Sequence, residues 1–415
     1  MQGKALPGFR DFYPEDLSLR NHIFATWRSV AGRYGFEEYD GPPLEALDLY
    51  TKKSGDEIVQ QLYSFRDKGD REVALRPEMT PTLARMVAAR VQALRKPIRW
   101  FSIPQLFRYE RQQRGRLREH FQLNMDIIGE AGPLADAELM AAAVDIMRAF
   151  GLGPGDVQLR ISDRRVIKSL LLGRGVTEAQ LGTAFAVIDR SERVPKNALE
   201  EMLRESGVGS RESEAVFDVA ALRGVDALKA AGEVAEPLTQ AVDALKEMGL
   251  GEFVSVDMTI VRGLAYYTGI VFELFDAQKK LRAIAGGGRY DGLLDQPALG
   301  FGMGDVVLGE LLKEHDAVPK ASNELGAFLI AVGGEDLPAM LQLAHAMRER
   351  GIAVEYGLRH AGVRKQLELA SARGAARAVI IGPDERRDGL AVVRDLRAGT
   401  EAKVPLDKLL NGYFD

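Results

Sequence analysis

The sequence predicts an α+β fold in which an antiparallel-sheet domain is interrupted by helices and followed by a smaller α/β domain. Three observations indicate this. Residues 98–130 form two extended segments around a polar loop, as in an antiparallel hairpin. Residues 164–248 are rich in Ala, Leu and Glu in a helical pattern. From residue 325 onward, apolar strand-like runs alternate with helical segments, which favours a small, largely parallel sheet.

The composition is ordinary for a globular protein and excludes several kinds of site. The chain has 415 residues, enough for two or three domains with sizeable cores. It has no cysteine, which excludes disulfides, zinc–thiolate sites and a cysteine nucleophile. The five histidines show no metal-ligand spacing, so we expect no protein-bound metal.

Charge and hydropathy bear on partners and location. The formal net charge is −5, so any RNA partner must be bound by local basic patches rather than by overall charge. No apolar run reaches the length of a membrane span, and the first residues lack the apolar core of a signal peptide. We therefore expect a cytoplasmic protein with no membrane partner.

The first hundred residues predict helices alternating with short strands. Residues 15–35 carry apolar side chains at helical spacing, and residues 36–43 (FEEYDGPP) read as a strand stopped by two prolines. A further helix follows a strand end near residue 75, with Thr80 as its N-cap and Pro81 in its first turn. Glu78 precedes this helix, where a carboxylate also stabilises the helix dipole, so a purely structural role is sufficient to explain it.

The segment 98–130 contains the first candidate site. Five arginines lie between Arg108 and Arg118, together with Glu110. In the return segment, polar residues alternate with apolar ones from Arg118 to Asp126, which predicts a strand with one polar face. A solvated charged face would account for this pattern. Arginine also grips phosphate through two parallel hydrogen bonds, so the hairpin is equally a candidate phosphate site.

The second candidate site lies between residues 254 and 294. Strand-like runs at 270–275 and 281–285 flank the polar turn DAQKK, and three glycines at 286–288 allow backbone to approach a ligand closely. The glycines lead into RYDG with a spacing that excludes a dinucleotide-binding fingerprint.

Together these stretches resemble the histidyl-tRNA synthetase family of class II aminoacyl-tRNA synthetases. FRYE at 107–110, the basic loop and the return strand are similar to motif 2, and YGFEEYDGPPLE is similar to motif 1. RGLxYYT at 262–268 and GGRYDG at 287–292 resemble the two motifs peculiar to this family.

The resemblance implies a class II antiparallel-sheet catalytic domain with a helical insertion and a C-terminal α/β anticodon-binding domain. The expected boundaries are 1–165 for the first part of the catalytic domain, 166–248 for the insertion, 249–318 for the second part and 325–415 for the anticodon-binding domain. The implied reaction is ATP-dependent activation of L-histidine and its transfer to tRNA(His) by a homodimer, with Mg²⁺ carried on the ATP.

The resemblance also implies roles for individual residues of this chain. The catalytic residues would be Arg108 and Arg262. The histidine-binding residues would be Glu78, Met79, Thr80, Arg108, Gln122, Asp126, Arg262, Tyr266, Tyr267 and Tyr290. The ATP-binding residues would be Arg108, Glu110, Arg116 and Arg289. The tRNA acceptor end would contact Arg111, Gln113 and Arg114.

Two departures from the family pattern affect these expectations. Position 265 is Ala where the family usually has Asp, and Val306 and Val307 stand where motif 3 normally carries Glu-Arg. The motif 3 arginine lies over the ATP triphosphate in class II enzymes, so either another cation, such as Arg289, serves the phosphates or ATP chemistry is impaired. We expect the former, because the other main ligand positions are intact.

Two other functions are consistent with parts of the pattern. A non-charging regulatory subunit of ATP phosphoribosyltransferase shares the fold and would explain the missing arginine. It generally lacks the C-terminal domain and residues such as Arg108, Glu110 and Arg262. An RNA-binding module without catalysis would explain neither the paired tyrosines nor Glu78.

Overall fold

The computed structural model describes residues 3–51, 59–111, 113–261, 267–278, 280–293, 296–318, 325–359 and 361–413. The chain divides into two compact units, Met1–Pro319 and Lys320–Asp415.

The first unit is built on one large sheet with a smaller sheet beside it. Its strands are β1 (Glu37–Glu38), β2 (Leu44–Ala46), β3 (Tyr63–Arg66), β4 (Glu72–Leu75), β5 (Ile98–Ser102), β6 (Gln105–Phe107), β7 (Glu119–Ile128), β8 (Val157–Asp163), β9 (Val254–Val256), β10 (Ile270–Asp276), β11 (Ala285–Arg289) and β12 (Ala298–Gly304). Its helices are α1 (Pro14–Arg33), α2 (Leu47–Thr51), α3 (Thr80–Arg90), α4 (Pro133–Ala149), α5 (Arg164–Leu172), α6 (Leu181–Arg190), α7 (Lys196–Glu205), α8 (Ser210–Ala221), α9 (Gly224–Ala231), α10 (Glu236–Glu247) and α11 (Asp305–Glu314).

The large sheet has the strand order β1-β5-β7-β12-β11-β10-β8-β9, and β6 pairs with β7. Pairing is antiparallel from β5 through to β8, whereas β1 and β9 join the two edges in parallel. Strands from both sides of the helical region thus lie next to each other, since β12 pairs with β7 and β10 pairs with β8. The predicted antiparallel architecture is confirmed.

Strand β7 places the polar side chains of the first candidate site. Leu123, Met125 and Ile127 are buried in the main apolar core with residues of α1 and α4. Because side chains alternate along a strand, Gln122 and Asp126 face the opposite side of the sheet. The alternation predicted from the sequence is therefore present.

The glycine-rich strand was placed wrongly by the sequence pattern. The expected strand was 281–285, whereas β11 begins at Ala285 and contains the three glycines. Gly286 pairs with Gly302 and Gly288 with Gly300 on β12. Glycine is unfavourable in an isolated strand, but here pairing with strands on both sides overrides that local preference.

The predicted helical region is present between β8 and β9. Helices α5 to α10 occupy most of residues 164–247. Buried residues of these helices, among them Ile167, Leu199, Val216 and Leu238, belong to the same apolar core as the sheet. The helices are thus part of the first unit rather than a separately packed body.

The start of α3 differs slightly from the expectation. Thr80 is the first helical residue, and the N-cap position is held by Met79, with no side-chain capping hydrogen bond. Proline lies in the first turn, as predicted. The predicted role of Thr80 as the N-cap is therefore wrong, because the helix begins one residue earlier than expected.

The second unit is an α/β domain. Its strands are β13 (Leu325–Ala331), β14 (Val354–Tyr356), β15 (Ala375–Ile381), β16 (Leu390–Asp395) and β17 (Glu401–Pro405), and its helices are α12 (Leu337–Glu349), α13 (Val363–Ala372), α14 (Pro383–Asp388) and α15 (Leu406–Asn411). The sheet order is β14-β13-β15-β16-β17. The first two pairings are parallel and the last two antiparallel, so the sheet is mixed rather than largely parallel.

Candidate active site

A buried carboxylate and a phenol meet on the polar face of the large sheet. The hydroxyl of Tyr290, just after β11, donates a 2.5 Å hydrogen bond to Oδ1 of Asp126 on β7. Both residues are buried, at 2% and 5% exposure. Burial raises the pKa of the Asp126 carboxyl to about 7, and the hydrogen bond from Tyr290 acts in the opposite direction. A carboxyl with this pKa can either donate or accept a hydrogen bond near neutral pH, and the phenol can do the same.

Glycines on β12 provide the space for these polar side chains. Gly300 lies opposite Asp126, and a Cβ at Gly300 would come within 2.0 Å of its Oδ1. A Cβ at Gly302 would come within 2.5 Å of Nε2 of Gln122. The same Nε2 donates a 2.8 Å hydrogen bond to the side chain of Asn124. The missing side chains of Gly300 and Gly302 therefore leave the space that Asp126 and Gln122 occupy on this face of the sheet.

The adjoining cavity holds most of the predicted nucleotide-binding residues. It has a volume of about 900 Å³. Among the residues that line it are Arg108, Glu110, Arg116 and Gln122 from the motif 2 hairpin. Val306 and Val307 line it at the start of α11. The hairpin arginines and the positions of the missing motif 3 residues thus share one cavity.

Side chains of the hairpin that line this cavity are fixed by hydrogen bonds and ion pairs. Nε of Arg108 donates a 2.9 Å hydrogen bond to the carbonyl of Pro77, the residue before Glu78. Arg116 forms a 2.8 Å ion pair with Glu110. Arg108 is therefore fixed between the cavity and the segment predicted to bind the ammonium group.

Several predicted histidine-binding residues lie outside the lining of this cavity. Glu78 and Met79 are buried at 6% and 1% exposure. Tyr267, 8% exposed, packs in a small apolar cluster with Ile260 and Val271. Arg262 and Tyr266 lie outside the described residues.

Arg289 does not lie where we expected a phosphate-binding cation. Its Nε and Nη2 donate hydrogen bonds of 3.0 and 2.5 Å to Oδ2 of Asp136 at the start of α4. Nη1 and Nη2 also donate to the carbonyls of Glu130 and Gly132. Burial raises the pKa of Asp136 to about 6, and Arg289 acts against this. Alternation along β11 turns Arg289 towards α4, so it is absent from the cavity lining.

The loop between the hairpin strands is attached to α11. Nε and Nη2 of Arg114 form ion pairs of 3.1 and 2.6 Å with Glu310 and Glu314. The backbone of Gln113 pairs with that of Arg116. Arg111, Gln113 and Arg114 are all exposed, as expected for residues that contact a macromolecule.

Three features of the site were missed by the sequence analysis. His120 lines the cavity, and burial, with Arg108 nearby, lowers its pKa to about 3, so its ring is neutral. The helical region contributes Glu192 and Arg193 to the lining. Arg282, placed in a predicted strand, lies in the cavity wall instead. His120 could have been found from its place in the alternating strand, whereas the other residues depend on the tertiary fold.

A partly buried ion-pair network ties the N-terminal segment to the site. Arg10 binds Glu119 at 2.6 Å and Asp305 at 2.9 Å. Asp305 also accepts a 2.9 Å hydrogen bond from the backbone N–H of Phe121. These contacts fix the start of β7 to the start of α11, and so fix the two sides of the cavity.

Among the described residues, no group of three or more His, Asp or Glu side chains is arranged to hold a metal ion. In the same part of the chain, no helix combines the length and apolar character needed to cross a membrane.

Comparison with known proteins identifies two families of domain in this chain. The chain matches the family model of histidyl-tRNA synthetase over residues 8–304 and that of the anticodon binding domain over residues 327–412. It is 43% identical to the histidine--tRNA ligase of Opitutus terrae, covering 98% of this chain and 97% of the relative. It is 41% identical to the chloroplastic/mitochondrial histidine--tRNA ligase of Arabidopsis thaliana, covering 97% and 85%.

The fold is also shared with a solved structure. The crystal structure of histidyl-tRNA synthetase from Nostoc sp. PCC 7120 superposes with a TM-score of 0.83, at 23% identity, and covers 99% of this chain and 98% of that chain. With the family model matching most of the chain and relatives above 40% identity over nearly its full length, this protein belongs to the histidyl-tRNA synthetase family.

Proposed function

We propose that this protein is a histidine--tRNA ligase that activates L-histidine with ATP and transfers it to the 3′ end of tRNA(His). One observation carries the proposal. The polar face of β7 runs from the Asp126–Tyr290 pair through Gln122 to the arginine-lined cavity. Asp126 and Gln122 are four residues apart, about 13 Å along a strand, which suits an amino acid at one end and a nucleotide at the other.

In the first step, a carboxylate oxygen of histidine attacks the α-phosphorus of ATP in line, and the bond to the bridging oxygen breaks to release pyrophosphate. Negative charge builds on the phosphate oxygens, so fixed cations and alignment are the main requirements. Arg108 is assigned to the α-phosphate and the substrate carboxylate because Pro77 orients it at the cavity. Arg262 keeps the same assignment from its motif.

Recognition of the imidazole is assigned to Asp126 and Tyr290, with Tyr267 and Tyr266 completing the pocket. A buried polar pair left unsatisfied by a wrong side chain is costly, which gives selectivity. Glu78, Thr80 and Gln122 would hold the ammonium group, with Met79 packed beneath them.

In the second step, the 3′-hydroxyl of the terminal adenosine of the tRNA attacks the acyl carbon, and AMP leaves. Glu110 and Arg116 would hold the nucleotide, and Mg²⁺ would be carried on the phosphates. Arg111, Gln113 and Arg114 would meet the acceptor end, and the C-terminal unit would bind the anticodon region. The protein would act as a cytoplasmic homodimer, with the motif 1 segment at the subunit interface.

The test is ATP–pyrophosphate exchange with each of the twenty amino acids, followed by charging of tRNA(His). Exchange with histidine alone and subsequent charging are expected. Exchange with another amino acid, or none with any, would overturn the proposal. A regulatory subunit of ATP phosphoribosyltransferase would bind histidine without exchange, so histidine binding measured on the same sample separates the two functions.

A further inference from the structure

The cavity lacks the cation that motif 3 normally supplies to ATP. Val306 and Val307 line it at the position of the usual Glu-Arg pair. A triphosphate carries several negative charges, and binding it in a partly enclosed site requires compensating cations. Some other residue of the lining must therefore supply this charge.

Three of the six cationic side chains in the lining already have carboxylate partners. Arg116 is paired with Glu110 at 2.8 Å, and Arg193 with Asp189 at 2.8 Å. Arg160 is likewise bound by carboxylates on both sides of its guanidinium. These three arginines are available to a ligand only if they share their charge with an existing partner.

Arg282 and Lys280 are different. Within the described part of the chain, neither side chain forms an ion pair or hydrogen bond. Of the two, Arg282 is the one that approaches the motif 2 loop beside Val307. Partial burial lowers its pKa, and the nearby charges of Arg116 and Arg193 lower it further, with Glu110 acting in the opposite direction. A phosphate bound here would offset the repulsion among these guanidinium groups, so the charge of the wall at Arg282 suits an anionic ligand.

The position of Arg282 matches that of the missing side chain. At Gly115, which has a φ of +73°, a Cβ would lie 3.2 Å from Cγ2 of Val307 and 3.9 Å from Cδ of Arg282. The side chains of Val307 and Arg282 thus approach the same turn of the motif 2 loop. Arg108, by contrast, is held at Pro77, next to the amino-acid end of the site.

We propose that Arg282, from the segment between β10 and β11, binds the β- and γ-phosphates of ATP in place of the arginine replaced by Val307. This assignment rests on the proposed function, because it requires ATP in this cavity. Because the β- and γ-phosphates leave as pyrophosphate, Arg282 would contact the pyrophosphate and not the adenylate.

The experiment compares Arg282→Met with the native protein and with Arg211→Met, a control that removes one exposed arginine from α8, outside the cavity lining. The affinity for pyrophosphate is measured by product inhibition, and that for a non-hydrolysable histidyl-adenylate analogue by titration. A hydrogen-bonded charge contact corresponds to about a 10- to 100-fold change in affinity. Arg282→Met should weaken pyrophosphate binding and raise the KM for ATP by this factor, with the adenylate analogue bound as in the native protein.

Two outcomes would overturn the assignment: unchanged pyrophosphate affinity, or an equal loss of pyrophosphate and adenylate affinity, which would indicate a general distortion of the site. Arg282→Lys should recover part of the loss by keeping the charge. The double variant Arg282→Met/Val307→Arg should lower the KM for ATP again if the two positions serve the same phosphates. Absence of histidine-dependent exchange in the native protein would instead count against the proposed function.

Discussion

The hydroxyl of Tyr290 donates a hydrogen bond to the carboxylate of Asp126, a residue 164 positions earlier in the chain. The contact joins the motif at 287–292 to strand β7, the return strand of motif 2. It also brings a carboxyl with a pKa of about 7 into a site proposed to recognise an imidazole. Protonation of this carboxyl therefore affects both the stability of the fold and the binding of the ligand.

The first prediction concerns the pH dependence of stability. The pKa of Asp126 is raised from 3.8 to about 7 in the folded state. Its favourable contribution to the free energy of unfolding is therefore complete below about pH 4 and is lost as the pH rises through 7. Asp126→Asn removes this dependence. The stability of the native protein relative to the variant should fall between pH 5 and 7, by at most about 1.4 kcal/mol per pH unit, measured by urea unfolding.

A second variant sharpens this test. Tyr290→Phe removes the hydrogen bond that lowers the pKa of Asp126, so the loss of stability should extend to higher pH. A stability difference between the native protein and Asp126→Asn that is constant across this range would show that Asp126 does not titrate there.

The second prediction concerns Gly300. Its missing side chain leaves room for Asp126, and a Cβ there would overlap with Oδ1. Gly300→Ala should destabilise the protein by about 1–3 kcal/mol, as overpacking does, and should raise the KM for histidine. Denaturant unfolding and histidine-dependent exchange measure the two effects.

The control for this prediction is Gly309→Ala in α11. A Cβ at Gly309 would make ordinary contacts of 3.9 and 4.0 Å with Leu19 and Ile23. This substitution should be neutral or stabilising, because glycine inside a helix costs about 1 kcal/mol relative to alanine. Equal effects of the two substitutions would show that the space at Gly300 is not required by the site.

The third prediction assigns Arg289 to the fold. Arg289→Met leaves Asp136 buried without its cation and should cost about 3–5 kcal/mol. Without Arg289, the pKa of Asp136 rises above its present value of about 6. Since a raised carboxyl pKa favours folding at low pH, the stability deficit should be smaller at pH 5 than at pH 8.

The matched control is the double variant Arg289→Met/Asp136→Leu, which removes both charges and should recover much of the loss. At a temperature where Arg289→Met is folded, its KM for ATP should equal that of the native protein. A stable Arg289→Met variant with a raised KM for ATP would instead show that Arg289 binds the ATP phosphates.

The position of Arg289 shows which parts of the site the sequence could predict. The polar face of β7 was predictable because strict alternation fixes which side chains lie together, and Gln122 and Asp126 follow from it. The face on which Arg289 lies depends on where β11 begins. Glycines give no alternating pattern from which to place that start, so the strand was predicted at 281–285 instead of Ala285–Arg289.

The predicted motifs also could not reveal contacts made across the fold. Arg282 and Val307 come together at Gly115 through three separate segments. Local sequence preferences do not predict that these three segments lie together. Motif spacing predicted the hairpin of residues 98–130, but the partners of each arginine are evident only in the structure.

The fourth prediction separates the two steps of the proposed reaction. Arg114 is exposed, and its ion pairs with Glu310 and Glu314 contribute little to stability. If Arg114 meets the acceptor end of the tRNA, Arg114→Ala should raise the KM for tRNA(His) in charging about 10-fold or more, the worth of one charge-assisted contact. Unfolding stability should change by less than about 0.5 kcal/mol and ATP–pyrophosphate exchange should not change.

Arg66→Ala is the matched control, because Arg66 is an exposed arginine with two acidic partners, Asp70 and Glu72, on the β3–β4 hairpin. It should leave both reactions unaltered.

The salt dependence of tRNA binding gives a further check. If Arg114 contacts a phosphate of the tRNA, Arg114→Ala removes one salt-sensitive contact, so raising the salt concentration should weaken tRNA binding less in this variant than in the native protein. Loss of exchange in Arg114→Ala would mean that the loop organises the nucleotide cavity itself, since Gly115 and Arg116 line that cavity directly after Arg114.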